Sequence, residues 1–78
     1  MDSITTLDRL PPGKKGRISH LLTQGNMRRR LLDIGFTNQT VVECLYQSAA
    51  GDPTAYGIRG TVIALRRKDA ESVCIHNI

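Results

Sequence analysis

A chain of 78 residues, 40% hydrophobic and 23% charged, has room for one thin core and is too apolar to be disordered along its length. Apolar runs such as Thr61–Leu65 fall far short of the ~20 residues of a spanning helix, which excludes insertion through such helices. The formal net charge is +4, and only Phe36, Tyr46 and Tyr56 are aromatic, few for the stacking platforms that hold single-stranded nucleic acid.

Met1-Asp2-Ser3 carries an acid where a secretory leader would carry positive charge, and no apolar stretch follows. The expectation is a cytoplasmic chain whose Cys44 and Cys74 are small, buried, reduced thiols. Leu10-Pro11-Pro12-Gly13 reads as a turn, because Pro fixes φ and Gly permits positive φ. Gly16 to Leu22 reads as a strand with Ile18, Leu21 and Leu22 as its apolar content. Thr23 to Asn26 breaks that strand and offers Asn26 as a helix N-cap.

From Met27 the period changes: Met27, Leu31 and Ile34 share one side of a 3.6-residue helix, with Arg29 and Asp33 opposite. Gly35 follows where a helix end favours a left-handed residue. A helix this short must form by docking its apolar side, so Met27 and Leu31 should stopper a barrel. Thr40 to Gln47 reads as a strand, with Val42, Cys44 and Tyr46 on one face and Val41, Glu43 and Leu45 on the other.

Gly51-Asp52-Pro53 signals a turn, and Ala55–Ile58 and Thr61–Leu65 form two short strands around Arg59-Gly60, with Gly57 as a bulge. Arg66 to Glu71 holds one helical turn at most, and Ser72 to His76 closes as a strand with Val73 and Ile75 on one face. The tally is four to six short strands, about five, with one short α-helix. That is a mainly β chain, in which a small, partly open barrel leaves the fewest bare edges. Residues 1–78 are expected to be a single domain with its core at about 7–76.

Charge is unevenly spread. Arg9, Lys14, Lys15, Arg17, Arg28, Arg29 and Arg30 precede Leu32 with no acid among them from Arg9 onward, and Arg66-Arg67-Lys68 forms a second cluster. Such asymmetry attracts an acidic partner, or else serves as a solvated face that keeps a small protein in solution. Arg28-Arg29-Arg30 fan over roughly 200° of a helix at ~100° per residue, so they cannot all face one way. Arg30 flanks the apolar stripe and can lay its stem along the barrel rim.

Catalytic patterns are missing. His20, Cys44, Cys74 and His76 lack zinc-site spacing, and Cys74 with His76 on one strand face is the best pair they offer. Gly57-Ile58-Arg59-Gly60 has neither phosphate-loop spacing nor a following helix, and no hydroxyl or thiol has a base beside it in sequence. The expectation is a non-enzyme.

Leu10-Pro11-Pro12-Gly13, then Gly25, then Met27-Arg28-Arg29-Arg30-Leu31-Leu32-Asp33-Ile34-Gly35-Phe36 resembles the helical signature of FeoA domains. Gly51-Asp52-Pro53, Arg59-Gly60-Thr61-Val62-Ile63-Ala64-Leu65-Arg66 and Asp69-Ala70 through Ile75 are similar to that family's second half. The resemblance spans about Leu7 to Ile75. It implies an SH3-like β-barrel and a cytosolic accessory protein of bacterial ferrous-iron uptake, acting with FeoB, a membrane transporter that bears a cytosolic GTPase domain. Similar domains end metal-dependent repressors, and this chain reads as a free-standing copy without their helix-turn-helix. Many members carry Pro-Gly after the helix where Asn38-Gln39 stands here, and Asn tolerates positive φ.

The leading expectation is an adaptor that touches the transporter through Arg28 and Arg29 and through the basic corner Arg66-Arg67-Lys68. Two other readings are a small basic barrel on nucleic acid and a metal sensor using Cys44, Cys74, His20 or His76. The resemblance brings weak binding of Fe2+ or another divalent transition metal, with no ligand set carried over. A homodimer also stays open, because thin cores gain stability by self-association.

Overall fold

The computed structural model describes residues 4–78, and the acidic start Met1-Asp2-Ser3 lies outside them. Six strands, β1 (Ile4–Thr6), β2 (Lys15–Leu21), β3 (Val41–Gln47), β4 (Thr54–Ile58), β5 (Thr61–Leu65) and β6 (Val73–Asn77), make one antiparallel sheet in the order β1-β6-β2-β3-β4-β5. One helix of ten residues, α1 (Gly25–Ile34), joins β2 to β3, and a single turn, α2 (Arg67–Ala70), joins β5 to β6. The fold is the mainly β, SH3-like one expected. It has one strand more than the sequence count, because Ile4–Thr6 adds itself outside β6, and the sheet stays open, with β1 and β5 at its ends.

The core gathers where the helix meets the curved sheet. Leu31 on α1, Ile18 on β2, Val42 and Cys44 on β3, Tyr56 and Ile58 on β4 and Val73 and Ile75 on β6 are buried, with Met27 and Ile34 packed against them. Leu7, in a one-turn 3-10 helix at Leu7–Arg9, and Leu10 close the bottom. Burial of each large apolar side chain is worth roughly 1.5–3 kcal/mol, which is what holds a ten-residue helix that cannot stand alone. The stopper formed by Met27 and Leu31 is therefore present, and Phe36 joins it fully buried.

The end of α1 is a Schellman cap: the Phe36 N–H donates to Leu31 O (2.9 Å) and the Gly35 N–H to Leu32 O (3.1 Å). Gly35 sits at φ 123°, and Phe36 folds back against Leu31. At the other end Asn26 is not the cap. Gly25 turns at φ 68° and starts the helix two residues sooner, so Gln24 occupies the cap position and Asn26 lies exposed in the first turn.

Three further local expectations change. The bulge is not at Gly57 but on β3, where Cys44 pairs with Tyr56 and Tyr46 with Ala55, leaving Leu45 as the extra residue. Leu45 lies over Gly57, at ordinary van der Waals distance from where a Cβ would stand, so the missing side chain serves as its seat. The same bulge turns Tyr46 off the Val42–Cys44 face, and it is 62% exposed. After the helix the left-handed residue is Gln39 (φ 74°) and not Asn38, whose Nδ2 donates instead to Ser19 O at 2.8 Å.

Arg59 and Gly60 at φ 51° and 79° join β4 to β5, and positive φ at both central residues marks a type I′ hairpin.

Candidate functional site

The two basic clusters come from separate elements, and the fold brings together only part of each. Arg28 is anchored: its Nη1 donates to Leu21 O at 3.0 Å and to Thr23 O at 3.5 Å, tying α1 to the end of β2. Arg29 stands exposed one residue on, in a shallow depression with Gly25, Leu32 and Asp33. The helix carries no acid in its first turn and no base in its last, so its charges oppose the helix dipole.

Arg66, Arg67 and Lys68 are exposed where β5 passes into α2. Arg66 O accepts from the N–H groups of Asp69 and Ala70, both at 3.0 Å, and the Arg67 N–H donates to Asp52 Oδ1 at 2.9 Å. With Asp52 and Glu71 this corner rims an open hollow of about 530 Å³. Its two acids temper the positive charge there.

The residues brought to one groove are Arg30 and Arg66. They lie on opposite lips of a groove of about 470 Å³ between α1 and β5, floored by Met27, Leu31, Ile34 and Ile63, with Asp69 as the acid on its rim. Sequence reasoning placed Arg30 on the rim but did not join it to Arg66, because the pairing depends on β5 lying beside the helix. The face of β5 turned away from this groove carries a second hollow, of about 380 Å³, where Val62 (60% exposed), Val41 and Leu45 sit beside Lys15, Glu43 and Arg59.

The thiols and aromatic residues are placed for packing. Both cysteines are free and buried. Burial pushes the Cys44 thiol up from its ordinary value, with the neighbouring Glu43 adding to the effect. Burial, then the proximity of Cys44, pushes Tyr56 up to about 12. Its hydroxyl donates to Leu7 O at a long 3.5 Å. Phe36 and Tyr56 lie inside, so among the described residues Tyr46 alone offers an exposed aromatic ring.

The FeoA domain family matches residues 5–77. The chain belongs to the FeoA family. Among solved structures, the FeoA protein of Chlorobium tepidum superposes with a TM-score of 0.89 at 26% identity, over 95% of this chain and 70% of that one. The iron(II) transport protein A of Clostridium thermocellum gives 0.88 at 28%, over 95% of this chain and 46% of that one. The zinc complex of Stenotrophomonas maltophilia FeoA, described as a prokaryotic SH3 domain protein, gives 0.83 at 24%, over 91% and 88%. No curated protein matches the chain in sequence.

The metal-ligating candidates named from the sequence are His20, Cys44, Cys74 and His76. Register places Cys74 of this FeoA chain between Thr6 and His20, and His76 between Ile4 and Arg17. His20 Nδ1 is hydrogen-bonded to Ser19 Oγ at 2.9 Å, and His76 Nδ1 is buried with no partner among the described residues. Among the described residues no three His, Cys, Asp or Glu side chains converge as a metal site. The Cys74–His76 pair, the best that the sequence offers, gains no third ligand among the described residues. No helix in the described residues is long and apolar enough to cross a membrane.

Proposed function

We propose that this FeoA-family chain is a non-enzymatic, cytoplasmic accessory protein of ferrous-iron uptake. It binds the cytosolic, GTPase-bearing part of a FeoB-type transporter and modulates it, with Fe2+ as the cargo of that system. The observation that carries the reading is the groove between α1 and β5, apolar along its floor and basic on both lips through Arg30 and Arg66, on a chain of this family. The names of its structural relatives, an iron(II) transport protein and a candidate ferrous-iron transport activating factor, support the same assignment.

The mechanism is differential binding. An accessory protein alters a transporter only to the extent that it prefers one of its conformations, so modulation requires docking and not chemistry. Arg28, Arg29, Arg66, Arg67 and Lys68 are the proposed contacts. Arg28 also serves the fold through its bonds to the Leu21 and Thr23 carbonyls, so Arg29 is the cleaner probe.

Capture of the transporter's purified cytosolic domain by this chain tests the proposal. Binding is expected at modest salt, weakening as exposed charges are screened. Arg29→Glu together with Arg66→Glu should reduce the affinity severalfold, and no binding by the wild-type chain refutes the assignment. A nucleic-acid role finds less support, with one exposed aromatic ring among the described residues.

A further inference from the structure

We infer that the open edge of β5 accepts an extended segment of an acidic partner as a seventh strand, apolar at its centre and flanked by carboxylates. This rests on the docking role proposed above and specifies its geometry. Four observations lead to it.

The first is the edge itself. β5 ends the sheet, paired with β4 on one side only. In a two-residue hairpin the closing pair, here Ile58 with Thr61, is hydrogen-bonded, and bonded and non-bonded pairs alternate from it. Thr61, Ile63 and Leu65 therefore bond to β4, while the N–H and C=O groups of Val62 and Ala64 point outward. Both residues are exposed, and their backbone groups bond to no loop or helix among the described residues. An edge left unpaired in this way is a template for another chain.

The second observation is that this edge is apolar on both faces. A strand laid ~4.8 Å outside β5 projects alternate side chains to the two sides of the sheet. One set would enter the groove against Met27, Ile34 and Ile63, and the other would cover Val62 and Leu45. A strand with this alternation satisfies the outward backbone groups and buries both sets, which is how peptides add to sheet edges.

The third is charge. Each hollow flanking β5 is lined by two bases and one acid: Arg30 and Arg66 with Asp69, and Lys15 and Arg59 with Glu43. Arg59 stands just before the strand and Arg66 just after it, so both ends of the edge are basic. An acidic segment complements them. A second copy of this chain does not, since antiparallel pairing of two β5 edges would set Arg59 of one against Arg66 of the other. The fourth is the lining: neither hollow contains an aromatic residue, which disfavours a polyproline-type ligand.

The probe is a capped nonapeptide of two glutamates, Val-Thr-Val-Thr-Val and two glutamates, titrated into the 15N-labelled full chain. Shift changes should centre on Val62 and Ala64 and extend to Met27 and Ile63. The same peptide ending in lysines should bind at least fivefold more weakly. Methylating the peptide amides that face β5 should abolish binding with the protein unaltered. Ala64→Pro should do the same from the other side, because that N–H serves no ladder bond and an edge strand tolerates proline there. No shifts with millimolar peptide, shifts centred on α2 or β1, or equal binding of the lysine peptide would overturn the inference. So would self-association of the chain that Ala64→Pro abolishes, which would make a second copy the occupant. Capture of the transporter domain separates the two claims. If Ala64→Pro still captures it in full, the edge is wrong and the accessory role stands. If the peptide docks on β5 while the transporter domain does not bind, the edge stands and the transporter assignment falls.

Discussion

Arg59, at the turn of the β4–β5 hairpin, lays its aliphatic stem across the bare Cα of Gly35 at the end of α1. A Cβ built on Gly35 would collide with Arg59 Cδ, and the backbone there already stands at φ 123°. Two independent demands therefore fall on one glycine: a conformation that side chains resist, and room for a neighbour's stem. The contact joins the helix to the hairpin whose second strand forms the candidate edge.

Gly35→Ala is expected to destabilise the fold by about 1–3 kcal/mol, the range for a residue held in a sparsely allowed backbone region. Urea unfolding measures it. The collision lies near the far end of a flexible side chain, so combining Gly35→Ala with Arg59→Ala should recover only the smaller, steric part. Full recovery would mean that the backbone conformation contributes little.

Gln39 presents the converse case. It holds φ 74° in the turn after α1, and its N–H donates to Ile18 O at 2.7 Å. A left-handed conformation costs a side-chain-bearing residue about 1–2 kcal/mol, partly offset by the greater unfolded-state freedom of glycine. Gln39→Gly should therefore raise stability by about 0.5–1 kcal/mol, a rise in Tm of several degrees in a domain of this size. A lowered Tm would show that the Gln39 side chain contributes more than its backbone loses.

What could be read from the chain, and what could not, follows the range of the forces involved. The helix stripe, the Gly35 stop, the Arg59-Gly60 hairpin and the alternation at Val42 and Cys44 are local signals, and the structure keeps each of them. The displaced features depend on partners distant in sequence. Tyr46 leaves the core face because Leu45 bulges to sit over Gly57, twelve positions away, and that seat exists only once β3 and β4 pair. Arg30 and Arg66 likewise come to one groove only when the helix packs beside an edge strand, so the groove they share was not legible in either cluster. The strand at Ile4–Thr6 is three residues long and borrows its ladder from β6, too short a run to signal by pattern.

The arginines of α1 should separate under mutation into one that holds the fold and one that does not. Arg28→Ala removes two charge-assisted bonds to the Leu21 and Thr23 carbonyls and is expected to lower stability by about 1 kcal/mol. Arg29→Ala, on the exposed side, should stay within about 0.5 kcal/mol of wild type. Thermal or urea unfolding reads both. Equal losses would place Arg29 in the fold's own bonding as well.

The buried pair Cys44 and Tyr56 ties stability to alkaline pH. Burial raises both groups in the folded chain, Cys44 above its ordinary 9.0 and Tyr56 from 10.0 to about 12. The unfolded chain releases these protons near the ordinary values while the folded chain keeps them, so above about pH 9 the unfolded state binds fewer protons and is favoured. The stabilisation is complete below that pH, declines as pH rises, and levels off for Tyr56 near pH 12. Lysines titrate in the same range, so Tyr56→Phe supplies the control. Between about pH 9 and 11 the wild type should lose stability more steeply than Tyr56→Phe, while at pH 7 the two should differ by about 1 kcal/mol or less, given the long bond to Leu7 O. Parallel pH curves for the two proteins would show that Tyr56 ionises as readily folded as unfolded, and with it that the strand pairing around Cys44 admits water.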